Sequence, residues 1–344
     1  MKTQWTVDTH GDPIGAVREF IKSVWLNTEL DGLVVSLSGN GVPRSKPYIL
    51  ASPQELDRVN PFKPLMEVNA ARYLPDLLRK VPEAHLGVIV RPCEMRALIE
   101  MAKREAFVPE GLLTICIDCL GTYPAQDFEW RARRKGSAGD LTRETLHFAR
   151  AGGIATYRYR SACQMCASPQ AHGAHLNVGV LGLPVRQHLL VQARDAITAD
   201  WLKMDQLAGQ AATPATLETY ERSTARLVAR NARTRERITH GLSEVLPSDV
   251  DSLIQQFETC GACRECMDNC PICAVDYPRQ DSAGKFLRED VTRWMTSCAG
   301  CGMCEQACPH HLPLSAIFHH IKAQLVEPYG SAPGRPVKEP LPLM

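Results

Sequence analysis

Residues 86–117 read LGVIVRPCEMRALIEMAKREAFVPEGLLTICI, and this stretch decides the fold. Leu86–Val90 is a short apolar run that reads as a buried strand. Arg91-Pro92 is a turn. From Cys93 to Lys103 the apolar residues Met95, Leu98, Ile99 and Ala102 recur at helical spacing. Residues 112–117 (LLTICI) are a second apolar strand. Strand, crossover helix and strand make a βαβ unit, which predicts a largely parallel sheet. Working outward, residues 32–38 (GLVVSLS) and 46–50 (KPYIL) predict two further strands, paired as a hairpin across Gly39-Asn40-Gly41. Pro75 interrupts the helical pattern of residues 67–80, because it lacks a backbone donor and crowds the preceding turn. Residues 131–153 are basic and Gly-containing and read as a loop or insertion. Residues 207–216 read as a linker. Residues 217–245 read as a helix bearing Arg222, Arg226, Arg230, Arg233, Arg235 and Arg237, which is either a solvated face or a docking face for an acidic partner.

The chain has 344 residues, with 44% apolar, 22% charged and 39 Lys+Arg against 38 Asp+Glu. Near-neutral charge argues against nucleic-acid binding. No apolar run is long enough to span a membrane. The opening, MKTQWTVDTHGD, has no apolar segment of the secretory kind, so a cytoplasmic, reducing compartment is expected.

Cysteine is the unusual feature. There are fourteen: five at 93, 116, 119, 163 and 166, then nine between 260 and 308. The second group contains Cys260-x2-Cys263-x2-Cys266-x3-Cys270-Pro271, repeated as Cys298-x2-Cys301-x2-Cys304-x3-Cys308-Pro309. That is the spacing of the bacterial two-cluster ferredoxin, in which the fourth Cys of each run ligates the other cluster. One 4Fe–4S cluster is therefore expected on Cys260, Cys263, Cys266 and Cys308. A second is expected on Cys298, Cys301, Cys304 and Cys270. Gly261, Gly300 and Gly302 allow the backbone close to the sulfides. Zinc is normally held by two Cys-x2-Cys knuckles and fits two tandem quartets poorly. The spacer of 27 residues between Cys270 and Cys298 leaves room for an inserted helix. Cys273 reads as a packed thiol or a spare ligand.

In the first group, Cys93 and Cys119 follow successive strands, so both belong at the carboxyl edge of a parallel sheet, where ligands bind in open α/β folds. A helix N-terminus would favour the Cys93 thiolate. With Cys163-x2-Cys166 they form a candidate quartet for a third 4Fe–4S cluster: Cys93, Cys119, Cys163 and Cys166. Two alternatives stay open: a zinc site of Cys116, Cys119, Cys163 and Cys166, and a redox dithiol of Cys116 and Cys119. Cys116 lies within a strand and is expected to be buried. Gly121 marks a turn at the same edge. His172 and His175 read as ligands or ordinary neighbours of the Cys163 knuckle.

Three segments carry a family resemblance: residues 88–98 (VIVRPCEMRAL), 113–121 (LTICIDCLG) and 161–182 (SACQMCASPQAHGAHLNVGVLG). In this order they resemble the coenzyme F420 hydrogenase/dehydrogenase beta subunit family, over about residues 30–200. The chain differs from the family pattern at Arg91 (Gly in the family), Glu94 (Gln), Ala167-Ser168 (Asp) and residues 174–177. The resemblance implies an iron–sulfur centre and FAD, with coenzyme F420 as a further carrier. It implies a flavin site at Arg91, Pro92, Glu94, Asp118 and Gly121. It also implies partner subunits of a formate dehydrogenase, hydrogenase or heterodisulfide-reductase-like complex.

The expected organisation is an α/β domain over 1–206, a linker and basic helix over 207–250, a small α+β dicluster ferredoxin-like domain over 251–326, and an extended Pro-rich tail over 327–344. The expected function is electron transfer within an oxidoreductase complex. The alternative is a non-catalytic, flavin-free iron–sulfur connector. A redox sensor is a third reading, which no DNA-binding motif supports.

Overall fold

The computed structural model describes residues 3–36, 46–104, 111–150, 159–170, 173–247, 249–256, 263–326 and 333–337. Its centre is a sheet of β1 (Gln4–Asp8), β2 (Gly32–Ser36), β3 (Pro47–Leu50), β4 (Leu86–Val90), β5 (Leu113–Ile117), β6 (Leu176–Gly179), β7 (His188–Ala193) and β8 (Gln210–Ala211). The strand order is β3-β2-β4-β5-β6-β7-β1-β8. The four central strands β2, β4, β5 and β6 are parallel, with Val88 opposite Thr114 and Cys116 opposite Asn177. The margins are antiparallel: β3 on one side, β7, β1 and β8 on the other. The sheet is therefore mixed, with the expected βαβ unit at its parallel core. The predicted hairpin partners pair as β2 and β3; Gly39-Asn40-Gly41 lies outside the described residues.

Alternation along the strands sends side chains to opposite faces. Leu33, Val35, Leu113, Ile115, Ile117, Leu176 and Val178 pack with helix Pro13–Thr28 on one face. Val34, Leu86, Val88, Val90 and Cys116 pack with helix Pro92–Lys103 on the other. Full burial of a side chain such as Leu33 or Ile115 is worth about 1.5–3 kcal/mol. Cys116 is wholly buried, as its strand position predicts.

The second face also takes up the cysteine-rich region. Leu253, Met267, Ile272, Val291, Trp294, Met295, Ile317 and Ile321 share one apolar cluster with Val34, Leu74, Val88, Leu98 and Met101. Residues 251–326 thus complete the core of the sheet domain. Their internal structure also differs from the expected α+β pattern. They form helices Glu265–Asp268, Arg288–Thr296, Met303–Ala307 and Leu314–Leu325, and their pairing among the described residues is one isolated bridge, Gln280 to Phe286. The cause is local. Both described parts of the cysteine runs sit on short helical turns, and the 27-residue spacer holds the helix Arg288–Thr296.

Two other segments depart from expectation. Much of residues 131–153 is helical, as the end of Ala125–Lys135 and as Ala138–Ala149. Gly136 breaks the run at φ 106°, and Ser137 caps the next helix by accepting the Asp140 N–H at 3.1 Å. Buried Leu141 and Leu146 anchor it. The stretch read as a linker holds β8, and Thr213 then caps the helix Pro214–Ser243. That helix crosses the molecule: Tyr220 and Leu227 join one core, Leu242 packs against the other. Pro75 lies in the first turn of helix Leu74–Lys80, where a missing donor costs nothing.

Candidate metal centres

The βαβ unit positions the first site. Pro92 opens the helix after β4, and the Glu94 carboxylate closes its first turn by accepting the Arg91 N–H at 2.8 Å. Cys93 is thereby held at the carboxyl edge of the sheet. Two residues past β5, Cys119 is fixed by its N–H to the Pro169 carbonyl, 3.1 Å. The short helix Ser161–Gln164 carries Cys163, and the Cys166 carbonyl accepts from Asn231 of the long helix at 2.9 Å. All four thiols, Cys93, Cys119, Cys163 and Cys166, line one cavity of about 60 Å³. Gly300 and Cys301 of the C-terminal run line the same cavity. A lone zinc, with Zn–S of about 2.3 Å, draws its thiolates to within about 4 Å of one another. Among the described residues no three Cys, His, Asp or Glu side chains gather at single-ion spacing.

Burial raises the Cys93 thiol well above its ordinary value, with Glu94 adding to the effect. Burial and the Glu94 charge act on Cys93 against the helix N-terminus, which favours its thiolate. Burial likewise pushes Cys119 up to about 12. Cys163 moves the other way. Burial raises it, but the Arg160 guanidinium and a hydrogen bond with Thr122 outweigh that and hold it below its ordinary value.

Arg160 has no counterpart among the residues singled out from sequence. It is 8% exposed. Its Nε donates to Thr122 Oγ1 at 2.8 Å, and its Nη1 to the Cys301 carbonyl and Gln306 Oε1, both at 3.2 Å. Its Nη2 lies 3.3 Å from Met66 Sδ and 3.7 Å from Cys163 Sγ. Arg230 and Arg235 of the basic helix also turn inward to line cavities, whereas Arg222 pairs with Glu218 at the surface.

The C-terminal cysteines gather in two further places. Cys263, Cys266 and Cys308 line an apolar cavity of about 50 Å³ with Trp294 and Phe318. The fourth expected ligand, Cys260, lies outside the described residues, as do Gly261 and His172. Cys298, Cys301 and Cys304 stand close enough to Cys270 for its charge to raise each of their thiols, after burial. Cys298 and Cys304 line a cavity of about 340 Å³ with Cys166 and the basic side chains Arg96, Arg235, His319 and Lys322. Gly300 and Gly302 adopt φ of 64° and 70° in this loop. Cys273 is buried, and its thiol donates to Cys270, which brings Cys270 down to about 7.

The proposed flavin residues are placed differently. Arg91, Pro92 and Gly121 line the cysteine cavity, but Glu94 and Asp118 do not. Glu94, 2% exposed, gives its second oxygen to the Ala70 N–H at 2.9 Å. Asp118 accepts from the Val180 N–H at 3.0 Å and Tyr220 OH at 2.9 Å, and burial raises it to about 7. The Arg91 guanidinium donates to the carbonyls of Lys63 and Leu65. The Tyr159 ring covers Gly121, 2.5 Å from where a side chain would begin. These residues do not fit a flavin or deazaflavin at this edge. An all-sulfur donor set fits a compact iron–sulfur group. His175 is likewise placed away from the Cys163 knuckle. It precedes β6, its Nδ1 accepts from the Thr114 N–H at 3.1 Å, and burial lowers it to about 4.

No protein-family model matches the chain. A stretch of 105 residues is 30% identical to the beta subunit of F420-dependent formate dehydrogenase from Methanocaldococcus jannaschii, covering 27% of this chain and 27% of that protein. The chain therefore spans about a quarter of the length of that curated relative. Among solved structures, a chain of the F420-reducing NiFe hydrogenase complex from Methanosarcina barkeri matches with a TM-score of 0.50 at 13% identity, over 70% of this chain and 92% of that one. The likeness is one of fold: a mixed α/β chain with a parallel-centred sheet.

Proposed function

We propose that the chain is an iron–sulfur electron-transfer subunit of an oxidoreductase complex, in the form of a flavin-free connector. One observation carries this reading. Four cysteines from three separate segments, Cys93, Cys119, Cys163 and Cys166, line one cavity, and Cys301 of the ferredoxin-type repeat lines it too. On this reading Cys93, Cys119, Cys163 and Cys166 hold one 4Fe–4S group. Cys298, Cys301, Cys304 and Cys270 hold a second, and Cys260, Cys263, Cys266 and Cys308 a third. Such groups accept and release single electrons. The chain's own task is to supply thiolates, exclude water and set the local charge. Trp294, Phe318 and Ile321 keep one cavity apolar, and Arg96, Arg235 and Lys322 make another cationic.

Similarity to a subunit of F420-dependent formate dehydrogenase supports a partner of that kind, and a cytoplasmic setting goes with this reading. The chain then divides into a sheet domain over 1–206 and a cluster-binding region over 251–326 that is docked on it. No helix among the described residues is long and apolar enough to cross a membrane. Cys163→Ser tests the reading. Iron in anaerobically prepared protein is expected to fall by about four atoms per chain, with the ferredoxin-type signals retained. Unchanged iron would refute the assignment of the first cavity.

A further inference from the structure

Among the described residues no carboxylate pairs with the Arg160 charge. Every acceptor around its guanidinium among the described residues is neutral or a thiol: Thr122, the Cys301 carbonyl, Gln306, Met66, Met303 and Cys163. Arginine does not deprotonate in proteins. Burying a cation without an opposite charge beside it is costly. The sulfurs that offset it come from both cysteine sets: Cys163, Cys93 and Cys119 from the sheet edge, and Cys301 from the C-terminal run. The same side chain also ties the two sets together. It bonds the turn after β5 through Thr122 and the ferredoxin-type loop through Cys301.

We propose that Arg160 is a positioning residue that raises the reduction potential of the group held by Cys93, Cys119, Cys163 and Cys166 above what the thiolates alone would give. The inference rests on the iron–sulfur reading of that cavity. Reduction adds one electron, supplied in the cell by a one-electron partner centre, and one negative charge. A buried cation 3.7 Å from a ligand sulfur stabilises the charged, reduced form. Loss of the cation therefore lowers the potential. A carboxylate beside the guanidinium does the same by pairing with it.

The test is a dithionite titration of the full-length, anaerobically prepared protein. It is followed by paramagnetic resonance, with iron counted in every sample. Arg160→Gln and Gln306→Glu are both expected to lower the midpoint of the reduced-state signal that Cys163→Ser removes; the group on Cys298, Cys301, Cys304 and Cys270, whose loop Arg160 also bonds, is expected to move as well. Arg160→Lys is expected to stay near wild type. Gln306 is exposed and is not a thiol ligand, although it stands between Cys304 and Cys308, so Gln306→Glu is read on the signal that Cys163→Ser removes and still reports the charge if Arg160→Gln loses its cluster. Wild-type iron near twelve per chain with no shifted signal in Gln306→Glu would overturn the role of Arg160. Wild-type iron near eight would instead overturn the reading of the cavity on which it stands.

Discussion

Glu94 and Arg160 lie on either side of what sequence can tell about a residue. Glu94 occupies a position that the family resemblance assigns to flavin contact, yet its two oxygens accept the N–H groups of Arg91 and Ala70 at 2.8 and 2.9 Å. Glu94→Gln leaves one oxygen and turns an amide N–H towards a backbone donor. Charged hydrogen bonds of this kind contribute about 1.5–3 kcal/mol, so the variant is expected to lose about 2 kcal/mol in denaturant titration. Flavin and iron per chain are expected to match wild type; cofactor loss at unchanged stability would return Glu94 to the site. Arg160 carries no legible signal of its own. It stands just before the Cys163 knuckle, but its main partners, Cys301 and Gln306, come from a loop more than a hundred residues away that reaches it only through the tertiary fold. The cysteines were legible because metal-ligand spacing is a local property. The environments of Cys93 and Cys163 were not, because burial and the Arg160 charge are not local.

At the level of elements, the joint between the ferredoxin-type loop and the Cys163 helix is the tightest feature of the site. Gly302 holds φ at 70°, and a side chain there would collide with the Cβ of Ala162. Ser161, at the start of that helix, also hydrogen-bonds Glu305 beyond the glycine. Gly302→Ala combines a left-handed backbone penalty of about 1 kcal/mol with overpacking of about 1–3 kcal/mol. The variant is expected to melt lower and to lose iron from Cys298, Cys301 and Cys304, seen as loss of one reduced-state signal; wild-type melting and iron would show that the loop has room to spare. The central strands and the helix Pro92–Lys103 were legible from apolar periodicity, because each is shaped by its own residues. The helices after β5 were not, since their basic composition hides the anchors Leu141 and Leu146. The antiparallel margin of β7, β1 and β8 was also illegible: it pairs Trp5 with Val191 and Ala211, partners set by topology rather than by pattern.

At the scale of the whole molecule, two regions that sequence separates are one body. In sequence, the linker and basic helix expected over 207–250 stand between the sheet domain and the cysteine-rich region. Instead the helices Val250–Gln256, Arg288–Thr296 and Leu314–Leu325 bury Leu253, Met295 and Ile317 against the face that holds Val88 and Met101. That packing places Cys301 at the cavity of Cys93, Cys119, Cys163 and Cys166. On the proposed reading, this packing lets three cysteine sets act as one relay rather than as independent sites. The most direct test is the content of iron, acid-labile sulfide, zinc and flavin per chain in protein prepared without oxygen. About twelve iron and about twelve sulfide are expected, with neither zinc nor flavin in stoichiometric amount. About eight iron with one zinc, or a colourless protein without sulfide, would contradict that expectation.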